Sequence, residues 1–164
     1  MNIEKEFTTI YNTYAPQVYR LCLGYASGNI DLAKEWQQET FIKVWKHRKT
    51  FKGNAAVGTW IYRIAINTCL ADLRKIKKKS TVDVTVLASD AMEPELRDEE
   101  DQIAKMYHCI DQLTENNKAL ILMELEGMPQ ATIATTVGIA HGSIRTRLSR
   151  IRKALLNCIT HEKR

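Results

Sequence analysis

The sequence predicts an all-α protein: two small helical domains joined by a flexible acidic linker, the second ending in a helix-turn-helix. Three observations carry this. Apolar residues recur at three- and four-residue spacing through most of the 164 residues, without a convincing strand pattern. The helical period lapses between Ser80 and Pro94, where small and β-branched residues and a proline lead into a run of acids. A short apolar helix, a glycine and a basic amphipathic helix then close the chain. The implied boundaries are 1–79 for the first domain, 80–94 for the linker and 95–164 for the second domain. Each domain is small and has a modest core, so independent motion of the two is expected.

The first helix carries Phe7, Ile10, Tyr11, Tyr14, Val18, Leu21, Cys22 and Tyr25 in register, with Pro16 as a point of kinking or restart. Gly24 to Asn29 reads as a turn. A second helix is expected from about Asp31 to Lys49, with Ala33, Trp36, Thr40, Phe41, Val44 and Trp45 partly inward. Gly53 to Gly58 reads as a loop. A third helix is expected from an N-cap at Thr59 into the run Arg74-Lys75-Ile76-Lys77-Lys78-Lys79, with Ile61, Ile64, Ala65 and Thr68 inward. Beyond the linker, helix returns at about Glu95, with Ile103, Met106, Tyr107 and Ile110 in register. Thr114 is a suitable N-cap for the next helix, which carries Ala119 to Leu125 and ends at Gly127.

The last two helices carry the chemistry. Pro129 to Val137 forms a short helix with Ile133 and Val137 on its apolar face. Gly138 suits the left-handed residue that ends a helix, and Ile139 plugs the corner. The basic helix follows, with Gly142 or Ser143 as its N-cap. Ile144, Leu148, Ile151 and Leu155 form one stripe, while Arg145, Thr146, Ser149, Arg150 and Lys153 point the opposite way. A helix with one docking face and one face of guanidinium forks and hydroxyls is suited to a DNA major groove. Arg145, Thr146, Ser149 and Arg150 are best placed for base edges. Ser143, Arg147, Arg152 and Lys153 suit phosphates, which fix register without reading sequence.

Net charge is +5, concentrated in the 74–79 run and the last helix, while acids gather between Asp90 and Asp101. Cys22, Cys69, Cys109 and Cys158 are far apart, without a C-x-x-C pair, and the four histidines are scattered. Neither a disulfide framework nor a metal site is expected. Each cysteine is expected to pack as a small apolar residue in a reducing cytosol. No membrane span or signal peptide is expected, and the location is expected to be cytoplasmic. The chain has no P-loop, dinucleotide fingerprint, H-E-x-x-H or coherent nucleophile–base pair, so an enzyme, a cofactor and a small-molecule substrate are not expected.

Three stretches, in order, resemble bacterial sigma factors of the extracytoplasmic-function (ECF) class, the minimal two-domain members of the sigma-70 family. Gln38 to Trp45 is similar to the family's clamp-binding segment. Phe51 to Thr68 is similar to the segment that melts and reads the −10 element. Leu113 to Leu156 resembles the domain that reads the −35 element. The sequence departs from the family pattern at Lys34 and Trp36, at Gln130 to Thr132, and at Val57.

The resemblance implies a factor that binds core RNA polymerase and promoter DNA and makes no covalent chemistry. Polymerase contact falls on Glu35, Gln38, Glu39, Phe41 and Trp45. Reading and melting of the −10 strand fall on Asn54, Trp60, Tyr62, Arg63 and Asn67, with Arg74, Lys75, Lys77 and Lys78 on phosphates. The acids at Glu95 and Asp98 to Asp101 would either mimic RNA phosphates in the channel that the family's linker threads or serve as a soluble tether. An anti-sigma factor is a further partner of the class. Two other readings are a stand-alone helix-turn-helix regulator and a structural adaptor. The regulator accounts for the last sixty or so residues but not for the aromatic Thr59–Thr68 helix or its glycine loop.

Overall fold

A computed structural model describes residues 2–53, 56–79 and 94–161, with side chains from residue 99 onward in the last stretch. The described residues form seven helices and no strand: α1 (Ile3–Tyr25), α2 (Ile30–Lys46), α3 (Val57–Lys79), α4 (Pro94–Asp111), α5 (Glu115–Leu125), α6 (Gln130–Val137) and α7 (His141–His161). The all-α expectation is met. The 80–93 segment lies outside the described residues.

Local chemistry sets most boundaries. Asn29 caps α2, its Oδ1 accepting from Leu32 N at 3.1 Å. Thr114 caps α5 as expected, accepting from Asn117 N at 3.2 Å. Gly138 ends α6 at φ 75°, ψ 31°, and its N–H donates to Ala134 O. Three boundaries differ from expectation. α3 opens at Val57, so Thr59 is a buried helical residue and not a cap. α7 opens at His141, which puts Gly142 and Ser143 inside its first turn. α2 ends at Lys46, where His47 N–H turns back to Lys43 O. Pro16 neither breaks nor restarts α1, which runs on through it.

In the N-terminal half, α1, α2 and α3 pack around Val18, Leu21, Trp36, Val44, Ile61 and Ala65. Trp36 is wholly buried and its Nε1 donates to Asp72 Oδ2 of α3 at 2.7 Å. Its departure from the family pattern is therefore a core role. In the C-terminal half, α5, α6 and α7 pack around Leu120, Met123, Ile133, Ile144 and Leu148.

The halves also pack on each other and share one apolar core, where the sequence suggested independent motion. Helix α5 explains this. Its five consecutive residues Ala119 to Met123 are all buried, so its middle is enclosed on every side. Leu122 fits against Gly24 of α1 so closely that a Cβ there would overlap it. Gly28, at φ 86°, lies under the Tyr107 ring. Polar contacts frame the seam. Lys118 Nζ donates to Asp111 Oδ1 at 2.6 Å and lies 5.3 Å from the Tyr25 ring centroid. Ser27 Oγ donates to Asp111, and Arg20 pairs with Glu126 at 2.5 Å.

The cysteines correct the sequence expectation. Cys109 of α4 and Cys158 of α7 form a disulfide, with Cα atoms 5.9 Å apart and a separation of 49 positions in sequence. Spacing along the chain does not reveal it, because only the packing of α4 against α7 brings these turns together. Cys22 and Cys69 are free, buried, and have Sγ atoms 3.6 Å apart. No helix among the described residues is long and apolar enough to cross a membrane.

Candidate nucleic-acid interface

Helices α6 and α7 form the expected helix-turn-helix. After the left-handed Gly138, Ile139 N also returns to Ala134 O, at 3.0 Å, and Ile139 packs on the core at the corner. Ile144, Leu148 and Ile151 are buried, which turns the opposite side of α7 outward. Ser143, Arg145, Thr146, Arg147, Arg150, Arg152 and Lys153 are exposed and Ser149 is half-buried. Arg147 and Arg150 line an open cleft of about 300 Å³ with Leu113, Asn117, Ile151 and Ala154, next to the first turn of α5. The two guanidinium groups give this cleft a positive lining. Arg152 is engaged differently: it pairs with Glu124 of α5.

Helix α3 carries the other candidate surface. Arg63, Asn67 and Arg74 are four and eleven residues apart along it, so they share a face, and all three are exposed. Two of them hold the C-terminal half. Arg63 Nε donates to Thr136 O at 2.9 Å, and a second guanidinium nitrogen donates to Thr135 O. These are carbonyls of the last turn of α6, which lack helical partners. Arg74 pairs with Glu115 of α5 at 2.9 Å. Lys75, Lys77 and Lys78 are exposed at the end of α3. Trp60 is half-buried and packs on Phe51, with centroids 5.1 Å apart. Asn54 lies outside the described residues.

Tyr62 is the main departure from expectation. Its ring is 4% exposed and edge-on to Tyr14, and its hydroxyl donates to Gln17 of α1. Burial, aided by the neighbouring Tyr14, pushes the phenol up to about 12. The ring is a core group and is not presented to a stacked base. Gly58 shows how closely this corner is packed, since a Cβ there would stand 2.9 Å from Tyr14 Cε1.

On α2, Glu35, Gln38, Glu39 and Trp45 are exposed, while Phe41 is 4% exposed. Gln38, Phe41 and Trp45 line an apolar cleft of about 450 Å³ together with Phe7, Tyr11, Ile42 and Lys46. Trp45 is edge-on to Phe7 at 5.2 Å and lies under the Arg48 guanidinium at 4.1 Å. Sequence reasoning missed Phe7, Tyr11 and Ile42 as part of this surface. The available signals were an i, i+4 aromatic pair on α1 and an isoleucine off the inward stripe of α2.

Comparison with known proteins agrees with this layout. Residues 10–79 match the family model for Sigma-70 region 2, and residues 103–155 match that for Sigma-70, region 4. The chain is 36% identical to the RNA polymerase sigma-H factor of Pseudomonas aeruginosa, over 75% of this chain and 70% of that protein. It is 31% identical to the ECF RNA polymerase sigma-E factor of Haemophilus influenzae, over 95% of this chain and 88% of that protein. In fold it is similar to the sigma factor RpoE of Bartonella quintana, solved with the anti-sigma factor NepR. The TM-score is 0.69 at 20% identity, covering 95% of this chain and 98% of that one. It is likewise similar to CnrH, solved with the cytosolic domain of CnrY, with a TM-score of 0.70 at 17% identity, covering 96% and 90%. The match over residues 10–79 disfavours a stand-alone helix-turn-helix regulator. The chain belongs to the sigma-70 family, as a sigma factor of the ECF class that directs promoter-specific transcription initiation.

Proposed function

We propose that the work of initiation divides between residues 1–79 and 95–164, joined through 80–94. The C-terminal domain reads the −35 element as duplex. Arg145, Thr146, Ser149 and Arg150 reach base edges, and Ser143, Arg147, Arg152 and Lys153 hold phosphates. The N-terminal domain reads the −10 element as melted strand through Asn54, Trp60, Arg63 and Asn67, with Arg74, Lys75, Lys77 and Lys78 on phosphates. Core RNA polymerase docks on α2 at Glu35, Gln38, Glu39, Phe41 and Trp45. The protein acts by binding alone, with no covalent step, in the cytoplasm. An anti-sigma protein is a further partner, as in the solved relatives.

The observation that carries this reading is the two-sided α7, with Ile144, Leu148 and Ile151 buried beneath exposed Arg145, Thr146 and Arg150. A recognition helix reads bases from its first turns, where Arg145 and Thr146 stand. One guanidinium paired bidentately with guanine supplies about 1–3 kcal/mol of discrimination.

The test is in vitro transcription with core polymerase over a randomised promoter library. Enrichment of two spaced elements supports the reading, and polymerase-independent capture of one duplex motif overturns it. With the enriched promoter, Arg145→Ala relaxes preference at one position. Lys153→Ala instead weakens all sequences alike and lowers the salt slope by about one ion. Equal losses on enriched and scrambled promoters for both variants sink this division.

A further inference from the structure

We infer that Cys109 and Cys158 form a reversible thiol–disulfide site, at which small thiols exchange with the bond and set how firmly the recognition helix is held to α4. The DNA consequence rests on the reading of α7 given above; the exchange chemistry does not.

The bond joins two helix stretches that little else holds. Beyond Ile151, no described residue of α7 is buried; Leu155, Cys158 and Ile159 are half-buried. On α4, the side chains from Glu99 to Ala104 are exposed, and among its described side chains only Cys109 and Ile110 are buried. Between these stretches lies an open cleft of about 480 Å³ lined by Ile103, Met106 and Ile159. Their apolar contact is therefore thin, and the covalent link closes a long loop across it. Order in such segments depends strongly on a single constraint.

The two cysteine pairs differ in access. Cys22 and Cys69 are sealed in the core. Their mutual hydrogen bond, reinforced by burial, pushes the Cys69 thiol well above the usual range, which disfavours the reactive thiolate. Cys109 is 2% exposed, but Cys158 is only partly buried, with Gln112 Oε1 3.9 Å from its sulfur. A small thiolate therefore reaches Cys158 Sγ first. A bond forms between the two, the Cys109–Cys158 bond breaks, and its electron pair leaves on Cys109 Sγ, which takes a proton from water. A second small thiolate attacks the mixed disulfide at the small-thiol sulfur, releasing Cys158 as thiolate, which is then protonated. Overall two small thiols are oxidised to their disulfide and one protein disulfide is reduced to two thiols. Exchange with an oxidised small disulfide runs the sequence backwards. A reversible bond of this kind is the form that disulfides take in reducing compartments.

The result is a two-state hold on α7. With the bond closed, the helix is fastened at its buried first half and again at its end. With the bond open, only the first half is fastened, and the stretch after Ile151 frays.

The test uses the full chain equilibrated in reduced and oxidised glutathione at graded ratios. Accessible thiols are then trapped with iodoacetamide and counted by intact mass. The expected course is no adducts when oxidised, two when reduced, and four only after reduction and denaturation. Peptide mapping should place the first two on Cys109 and Cys158. Two adducts at every ratio, or none at any, overturns the site. Hydrogen exchange reads the hold on α7 without DNA. Amides of 152–161 should exchange faster in the reduced chain and in Cys109→Ser/Cys158→Ser in either buffer. Unchanged exchange in both overturns the two-state hold even where the bond is reversible. Where the −35 reading stands, reduction loosens only the phosphate contacts of Arg152 and Lys153, so it weakens cognate and scrambled duplexes alike and leaves base preference unchanged.

Discussion

Tyr62 lies on α3, the helix expected to touch the −10 strand, yet its hydroxyl is spent on Gln17 and its ring on Tyr14. Its phenol is pushed up to about 12, chiefly by burial, so the folded state favours the neutral form. The linked stability is fully present below the ordinary tyrosine pKa of about 10 and is lost as pH rises through about 12. Tyr62→Phe therefore lowers stability near pH 7 by about 1 kcal/mol, the worth of one hydrogen bond. The gap to the parent narrows as pH climbs above about 10, because the variant has no phenol to ionise at that position. Urea unfolding at a series of alkaline pH values checks this. A gap that stays constant up to pH ~11.5 rejects the account, because an ordinary exposed phenol is half-ionised near pH 10. Arg63 presents a different outcome at the same scale. It is exposed, as a strand-reading residue must be, but its donors are engaged by Thr135 and Thr136 carbonyls.

Those carbonyls belong to the end of α6, where two devices meet. Gly138 supplies the left-handed cap at φ 75°, and Arg63 supplies donors that the ended helix leaves wanting. Gly138→Ala meets no atom within 4 Å, so its cost is conformational alone, about 1–2 kcal/mol. A fall in melting temperature with α-helix content preserved is the expected outcome; no fall means the cap is not held left-handed in solution. The cap at Gly138 was legible in the sequence because a glycine there has a mechanism, and the same holds for Thr114 and the α7 stripe. The expected caps at Thr59 and Ser143 failed because a residue with capping chemistry also fits inside a first turn. The disulfide and the seam between halves depend on contacts 41 to 106 residues apart, which no local period encodes. One signal was present and unread. Five apolar residues in a row, Ala119 to Met123, cannot all face one core, so α5 needed a second partner. That partner is α1.

At the scale of the whole molecule, the seam decides which surfaces are available. Arg63 and Arg74 share a face of α3 with Asn67, and α5 and α6 occupy the two arginines. Reading a melted strand through them requires the halves to part, as does spreading across two promoter elements. The seam's contacts are unequal. Arg74 and Glu115 are both more than half exposed, and an ion pair of that kind contributes about 0–1 kcal/mol at most. Arg63 makes charge-assisted bonds to carbonyls, worth about 1.5–3 kcal/mol together with the orphaned groups they satisfy. Leu122 fills the space over Gly24, and truncating a buried leucine costs about 2–5 kcal/mol. Arg63→Ala and Leu122→Ala should therefore open the chain, while Glu115→Gln should leave it closed. Small-angle scattering reads the difference. A compact chain of 164 residues has a radius of gyration of about 15 Å, and parted halves raise it. Leu122 also serves its own domain's core, so Arg63→Ala is the sharper probe. If the radius rises for Glu115→Gln but not for Arg63→Ala, surface charge holds the halves together and the carbonyl clasp does not.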